Sequence, residues 1–204
     1  MDQAIAELFE IAFSDEDIVV ELADEELLFY NQSVGNLPIR SGQLMAGDPM
    51  RASGSLQLAA NFPNGEYPAE IAIAEFADGE EMIGYLRVTF SDKIPQQWEV
   101  ARYTNSSDST LVESGIFALA DADALAVLPR IDGEERETIM NGLHDTLDQT
   151  YEPDRAWAEF SVDNFTLVAC TASDEPEAYS SYIGRDASGN ICRLLVDFAL
   201  FEEG

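Results

Sequence analysis

Lysine and histidine are almost absent from this chain. Lys93 is the one lysine and His144 the one histidine, whereas aspartate and glutamate together number 40 among 204 residues. A single histidine excludes every site that needs two imidazole groups, and it leaves nucleophile–histidine chemistry dependent on one residue. Because His144 follows Met140 by four positions, at the edge of an apolar helical stripe, we interpret it as a boundary residue of a helix.

Cysteine and long apolar runs are also scarce. The only cysteines, Cys170 and Cys192, lie in apolar, strand-like runs, which favours two buried thiols. A disulfide between neighbouring strands is the alternative, and it would need an oxidising compartment. No apolar run reaches the ~18 residues of a membrane span, so none is predicted. Residues 1–7 lack the basic region and the apolar core of a signal peptide, and we therefore expect a cytoplasmic protein.

Positive charge is the largest deficit of the chain. The 40 acidic and 10 basic residues give a formal net charge of −30 at pH 7. Binding to nucleic acid or to an anionic membrane needs lysine and arginine, so we expect neither partner. The charge instead favours a basic protein partner, whose encounter it would accelerate. The alternative is a halophilic domain whose charge serves only solvation, with which the scarcity of lysine agrees.

Apolar residues, at 46% of the chain, are abundant enough for a packed core. In residues 66–92, apolar side chains alternate with small or polar ones around Asp78-Gly79, which predicts a central antiparallel hairpin. Helical periodicity predicts one helix over residues 2–13, with Asp2 as its N-cap, and a second over residues 133–151, with Tyr151 ending its apolar stripe.

Shorter apolar runs predict the remaining strands. They lie at residues 18–22, 27–30, 55–60, 98–103, 157–161 and 165–171, at 111–119 with a break at 114–115, in the turn-bounded segment 37–50, and in a closing hairpin over 179–201. A helix over residues 24–30 is the alternative to the strand at 27–30. This order predicts a single α+β domain over residues 1–204, built on a mostly antiparallel, hairpin-rich sheet.

Individual carboxylates are the candidates for chemistry. Asp48 precedes Pro49 and is predicted to cap the amides of a turn, with a catalytic or cation-binding carboxylate as the alternative. Asp92 and Asp186 are further catalytic candidates. The segment 186–190 resembles part of a calcium loop, but it lacks the terminal glutamate and fits a hairpin turn better. We therefore expect no metal and no cofactor.

Clustered carboxylates are the candidates for binding. Acidic groups recur at 15–17, 24–26, 78–81, 132–137 and 174–177. Because residues 78–81 and 186–190 are both predicted hairpin tips, they could share one end of the sheet. A clustered acidic surface opposite a basic cleft gives fast, salt-dependent association. The residues predicted to form the binding surface are Asp78, Glu80, Glu81, Asp174, Glu175 and Glu177.

Several short motifs, taken in order, carry a family resemblance. Residues 41–49 read Ser-Gly-Gln-Leu-Met-Ala-Gly-Asp-Pro, residues 65–68 Gly-Glu-Tyr-Pro, and Trp98-Glu99 follows them. The segments 88–92, 114–121 and 179–198 add a strand end, a Gly-x-Phe-x-Asp pattern and a closing hairpin. Together these resemble the uncharacterised bacterial family called domain of unknown function 4241, over about Ser41 to Phe198. Where its members carry a Gly/Trp-rich turn, this chain has residues 172–177, so a pocket shaped by that turn would be altered.

The resemblance implies an α+β fold and a bacterial cytoplasmic setting, and it brings no established activity. It divides the chain into an N-terminal helix with a variable segment, residues 1–36, and a family-like core, residues 37–204. The hypothesis that follows is an acidic binding protein of the immunity or inhibitor type that neutralises a basic partner such as a toxin. The alternatives are a carboxylate-based enzyme around Asp48, with or without a metal, and the halophilic domain.

Overall fold

A computed structural model describes residues 3–14, 18–22, 25–51, 56–127, 133–153, 155–162, 165–173 and 175–200. The helices are α1 (Gln3–Ile11), α2 (Ala124–Val127) and α3 (Gly133–Leu147), and a 3-10 turn spans Pro49–Arg51. The strands are β1 (Ile18–Leu22), β2 (Glu25–Ile39), β3 (Leu44–Gly47), β4 (Gly65–Glu75), β5 (Glu81–Thr89), β6 (Gln97–Val100), β7 (Ser109–Val112), β8 (Ile116–Asp121), β9 (Trp157–Val162), β10 (Phe165–Thr171), β11 (Glu177–Arg185) and β12 (Ile191–Asp197). The predicted α+β class is confirmed.

The predicted central hairpin is formed by β4 and β5. Ile71 pairs with Leu86, and both side chains face one core, whereas Ala72 and Tyr85 face another. This split follows from the alternation of side chains along a strand, with one irregularity between Ala72 and Ile73. At the tip, Gly79 has a φ of +86°, which glycine adopts without strain.

Two antiparallel sheets organise the chain. The large sheet has eight strands in the order β1-β2-β4-β5-β12-β11-β6, with β7 also paired to β11. The small sheet has four strands in the order β3-β8-β10-β9. Because β2 runs from Glu25 to Ile39, it crosses the expected boundary at residue 36, and the large sheet contains strands from both segments.

Three apolar cores hold these elements in four layers. The first core lies between the two sheets and includes Leu37, Ile71, Leu86, Phe117 and Leu194. The second core lies between the small sheet and the apolar stripe of α3, where Met140 and Leu143 are buried. The third core packs Phe9 of α1, and Phe13 in the turn after this helix, on the outer face of the large sheet. The order is therefore α1, large sheet, small sheet, α3.

Strand register fixes which loops share an end of the large sheet. Tyr85 pairs with Asp197 and Thr89 pairs with Arg193, so β5 begins where β12 ends. The β4–β5 tip at 76–80 and the β11–β12 tip at 186–190 therefore lie at opposite ends, and the expectation that they share one end is wrong. Leu28 pairs with Glu75, and Ser180 pairs with Asp197. The beginnings of β2 and β11 thus share the end that carries residues 76–80.

Some predicted boundaries also need correction. Residues 56–60 form isolated bridges at Gln57 and Leu58 in place of a strand, because each pairs with a different segment; Ser55 lies outside the described residues. The strand predicted over 98–103 ends at Val100. The predicted helix at 133–151 ends at Leu147, and Tyr151 is 62% exposed, so it does not continue the buried stripe.

Other sequence predictions agree with the structure. The interval 25–30 belongs to β2 and is not a helix, since Leu27 and Phe29 are buried whereas Leu28 and Tyr30 are only partly buried. Cys170 and Cys192 are free, buried thiols, and burial raises the pKa of each.

The proposed N-cap Asp2 lies outside the described residues. Within the described part of the chain, no helix has both the length and the apolar character needed to span a membrane.

Candidate functional site

The carboxylate of Asp48 is fully buried and surrounded by donors. Its Oδ1 accepts hydrogen bonds from the Met50 amide and the Ser114 hydroxyl, both at 2.8 Å. Its Oδ2 accepts from the amides of Glu113 and Ser114, both at 3.0 Å. The three bonds from Glu113 and Ser114 tie the end of β3 to the loop between β7 and β8, and the bond from Met50 caps the turn that follows β3. The structure therefore places Asp48 as a turn-capping residue, with both oxygens occupied by protein donors.

Asp186 is enclosed in a similar way at the β11–β12 tip. It accepts hydrogen bonds from Lys93 Nζ at 2.7 Å and from the amides of Ser188 and Asn190 at 2.8 and 2.9 Å. Lys93, followed by the Asn190 amide, holds the pKa of Asp186 well below its ordinary value. The carboxylate of Asp186 thus stabilises the turn that contains it. Asp92 is exposed in the turn after β5.

The three catalytic candidates do not form one constellation. Asp48 bonds to the loop that follows β7, and β7 pairs with residues 177–180 at the beginning of β11. Asp186 follows the far end of β11, and Lys93, its partner, adjoins Asp92. Among the described residues, no group of three or more histidine, cysteine, aspartate or glutamate side chains is arranged to hold a metal ion.

Asp121 is a further buried acid that organises backbone. It ends β8 and accepts hydrogen bonds from the amides of Arg40, Ser41 and Asp123. Burial raises its pKa, but the bonds from Asp123, Ser41 and Arg40 outweigh burial, and the pKa lies below its ordinary value. Asp121 therefore stays ionised as a structural acceptor.

A second population of carboxylates gathers at one end of the large sheet, which we call the acidic end. The strand register brings together the beginning of β2, the β4–β5 tip and the segment that enters β11. Five of the six predicted binding residues are described and lie here, and Asp174 lies outside the described residues. The sequence alone does not assign Glu75 to this group, because only the pairing of Glu75 with Leu28 places it at this end. The described carboxylates of the acidic end are Glu26, Glu75, Asp78, Glu80, Glu81, Glu175 and Glu177.

Most of these carboxylates lack a cationic partner. Glu81 is the exception, because it forms an ion pair with Arg155 and accepts a hydrogen bond from the Tyr30 hydroxyl at 2.6 Å. Within the described ranges, the other six form no ion pair with a basic side chain. Asp78, Glu80 and Glu175 are also exposed. Their charges therefore add up to a negative field that points into solvent.

A small cavity of about 180 Å³ opens between the β4–β5 tip and the beginning of β11. Its apolar walls come from Met82, Ile83, Phe198 and Leu200, and residues 171–173 form another wall. The lining also includes Glu177 and Tyr179, whose hydroxyl donates to Glu177 Oε2 at 3.1 Å. Burial raises the pKa of Tyr179 to about 12, so the hydroxyl stays protonated near neutral pH.

The arrangement is suited to recognition by charge and shape. The acidic end offers unpaired carboxylates around a small, mostly apolar recess, and the catalytic candidates on the described residues are either occupied by donors or alone. Such a surface can attract a basic side chain and accommodate its apolar stem. Residues 172–173, which enter the turn before β11, line the recess.

Comparison with known proteins identifies a family and little more. Neither a curated protein nor a solved structure matches the chain. A family model described as "Protein of unknown function (DUF4241)" matches residues 37–196, which run from the latter part of β2 to the end of β12. The match covers the small sheet, α3 and the large sheet apart from β1 and most of β2, and it agrees with the resemblance carried by the sequence motifs. The chain belongs to the DUF4241 family.

Proposed function

We propose that this protein is an acidic binding protein of the immunity or inhibitor type, and that it neutralises a basic protein partner, such as a toxin, through the acidic end. The observation that carries the proposal is the convergence of three acidic segments at one end of the large sheet, where the β4–β5 hairpin and the beginning of β11 line a small recess. The proposal keeps the cytoplasmic, bacterial setting expected from the sequence.

Electrostatics supports this choice of partner. With a net charge of −30, the whole molecule attracts cations, and the unpaired carboxylates of the acidic end concentrate that attraction on one region. A basic partner would associate fast at low ionic strength, and salt would slow the association, since the Debye length is only about 8 Å at physiological salt. Nucleic acid and anionic membranes carry the wrong sign of charge for this surface.

The recess supports a protein partner over a diffuse cloud of cations. Charge alone gives steering and little specificity, whereas a side chain that fills a pocket supplies a fixed anchor. An arginine or lysine could lay its methylene stem along Ile83 and Phe198 and direct its head group to Glu177. Neutral residues of similar size would gain the apolar contact without the charge pairing.

The proposal can be tested with three versions of the tagged protein, used to capture proteins from a lysate of the source organism. The first is the wild type. The second, the acidic-end variant, removes four negative charges by the substitutions Asp78→Asn, Glu80→Gln, Glu175→Gln and Glu177→Gln. The third, the matched control variant, removes four exposed charges elsewhere by Glu66→Gln, Asp92→Asn, Asp145→Asn and Asp148→Asn.

Quantitative mass spectrometry of the retained proteins gives the result. We expect the wild type and the matched control variant to retain the same basic protein, and the acidic-end variant to retain about tenfold less of it, because the lost charges are those that face the partner. The purified partner should then lose its activity when the wild type is added. Equal retention by both variants, or retention of no basic protein, would contradict the proposal.

A further inference from the structure

Two arginines are buried on the outer face of the large sheet, beneath helix α1. Arg87 on β5 is 9% exposed and Arg193 on β12 is 7% exposed. Thr89 pairs directly with Arg193, and Arg87 is two residues along the same strand, so the three side chains share one face. Burying two like charges side by side is costly unless anions face them. In a chain with only 10 basic residues, this placement calls for an explanation.

The acceptors that surround the two arginines form hydrogen bonds with only some of the guanidinium nitrogens. Arg87 Nη2 donates to Glu70 Oε2 at 2.9 Å, and Arg193 Nη1 donates to the carbonyls of Ser91 and Cys192 at 2.6 and 2.9 Å. Glu10, on α1, lies between the two arginines. Its Oε1 is 3.5 Å from Arg193 Nε and 4.0 Å from Arg87 Nη1, and neither contact is a hydrogen bond.

Four buried polar atoms therefore meet here without a hydrogen-bond partner. They are Glu10 Oε1, Arg87 Nε, Thr89 Oγ1 and Arg193 Nε. Buried polar atoms are nearly always hydrogen-bonded, so a cluster of four marks a place for a polar group that the protein does not itself supply. Burial raises the pKa of Glu10 and outweighs the attraction of Arg193 and Arg87. The Glu10 carboxylate is thus an incomplete partner for the two arginines.

The cluster adjoins an open cavity. A space of about 570 Å³ lies between α1 and residues 94–98, and Glu10 forms part of its wall. Ile11, Ile94 and Trp98 give the cavity apolar surface, and Ile94 is 67% exposed. Glu10 therefore contacts both the cavity and the two buried arginines.

We propose that Arg87, Arg193 and Thr89 form a binding site for a small organic anion, whose carboxylate or phosphate group replaces the Glu10 carboxylate while its apolar body occupies the cavity beside Trp98. A group with two or more oxygens can accept hydrogen bonds from the Nε atoms of both arginines, which one oxygen of Glu10 does not achieve. This site is independent of the acidic end and of the function proposed for it.

The test uses calorimetry on the full chain with four probes. Hexanoate and hexyl phosphate carry the two candidate head groups on one apolar body, inorganic phosphate lacks the body, and hexanol lacks the charge. We expect the wild type to bind hexanoate or hexyl phosphate, inorganic phosphate to bind at least about tenfold more weakly, and hexanol to show no binding. The stronger of the first two probes identifies the head group.

Three variants locate the site. Glu10→Gln removes the competing charge and should tighten binding by about tenfold, whereas Arg193→Met should abolish it. Arg102→Met is the control, because Arg102 is 68% exposed and pairs with Asp108. Tighter binding by Glu10→Gln would support the site even if Arg193→Met fails to fold. The proposal is overturned if no probe binds either the wild type or Glu10→Gln, if Glu10→Gln weakens binding, or if a folded Arg193→Met binds as the wild type does.

Discussion

The β4–β5 tip and the β11–β12 tip of the large sheet have the same backbone conformation, but their carboxylates have different roles. In each, the first residue donates its amide to the carbonyl of the fifth, from Phe76 to Glu80 at 2.8 Å and from Asp186 to Asn190 at 2.9 Å. The fourth residue is a glycine with a φ of +86° or +81°. Both tips are thus three-residue loops that end in a left-handed glycine.

The two tips differ in their first residue, which is Asp186 in one and Phe76 in the other, and the role of the carboxylates differs accordingly. At one tip Asp186 turns its carboxylate inward, where Lys93 and two amides bind it. At the other tip Phe76 occupies that position and lines the recess, while Asp78 and Glu80 stay exposed. An acid that meets several donors organises the local structure, whereas an acid that meets one donor or none, and no cation, contributes to the external field. Asp48 and Asp121 belong to the first population, and the acidic end to the second.

Removing a carboxylate of the first population should have the largest effect on stability. Asp48→Ala leaves three amides and the Ser114 hydroxyl without their acceptor in a fully buried place. We expect a loss of about 3 kcal/mol in the free energy of unfolding, measured by urea denaturation. Glu80→Ala, at an exposed position, should change it by less than about 0.5 kcal/mol. Similar losses for both would remove the distinction between the two populations.

Asp186→Asn should have a smaller effect that depends on pH, because its partner Lys93 is 60% exposed. The pKa of Asp186 in the folded protein lies below its ordinary value of 3.8, so ionisation of Asp186 stabilises the fold above that pH. As the pH falls through the folded-state pKa, this contribution is lost. Asp186→Asn should therefore lower the Tm at pH 7 and approach the wild-type Tm below pH 3.8.

The measurement is the Tm of Asp186→Asn and of the wild type at a series of pH values from neutral to strongly acidic. Asp92→Asn, in the neighbouring exposed turn, serves as the control and should follow the wild type throughout. A Tm difference for Asp186→Asn that stays constant down to the lowest pH would show that the substitution acts through turn geometry alone.

The shared backbone predicts equal costs for the two glycines. At Gly79 and Gly189 an added Cβ would meet no atom within 4 Å, so only the left-handed conformation opposes alanine. Each substitution to alanine should cost about 1 kcal/mol, measured by urea denaturation. Unequal costs would mean that the tips differ in more than their side chains.

The smallest effect is expected in the salt dependence of stability, which should differ between the acidic-end variant and the matched control variant. The acidic-end variant relieves repulsion among unpaired carboxylates, so at low salt it should be more stable than the wild type by about 0.5–1 kcal/mol. In 1 M KCl the Debye length falls to about 3 Å, and the difference should vanish. The matched control variant should gain less. Unfolding of the wild type at low salt, reversed by molar KCl, would instead favour the halophilic alternative.

Local patterns were sufficient to predict most of the fold. Alternation and the Asp78-Gly79 turn located β4 and β5, and the apolar stripe through Met140 located α3, because both signals depend on residues close in the chain. The isolated bridges at Gln57 and Leu58 could not be predicted, since each pairs with a distant segment. The length of β2 was missed because its second half contains Gly35 and Pro38, residues typical of turns.

The candidate site was predictable in its residues and not in its assembly. Runs of acids are visible in the sequence, but only the strand register shows that Glu75 and Glu177 share an end and that residues 186–190 lie at the other. The buried arginines had a weak signal, because Arg87 and Arg193 interrupt apolar strands at alternating positions. Both contact Glu10 of α1, which lies in a distant part of the sequence, so their surroundings could not be predicted from local patterns.

The most direct test of the central claim is hydrogen–deuterium exchange on the protein with and without the partner recovered by capture. If the acidic end is the contact surface, binding should slow amide exchange in residues 76–82 and 171–179, and leave residues 186–190 unchanged. Slower exchange at 186–190, with no change at 76–82, would contradict the account.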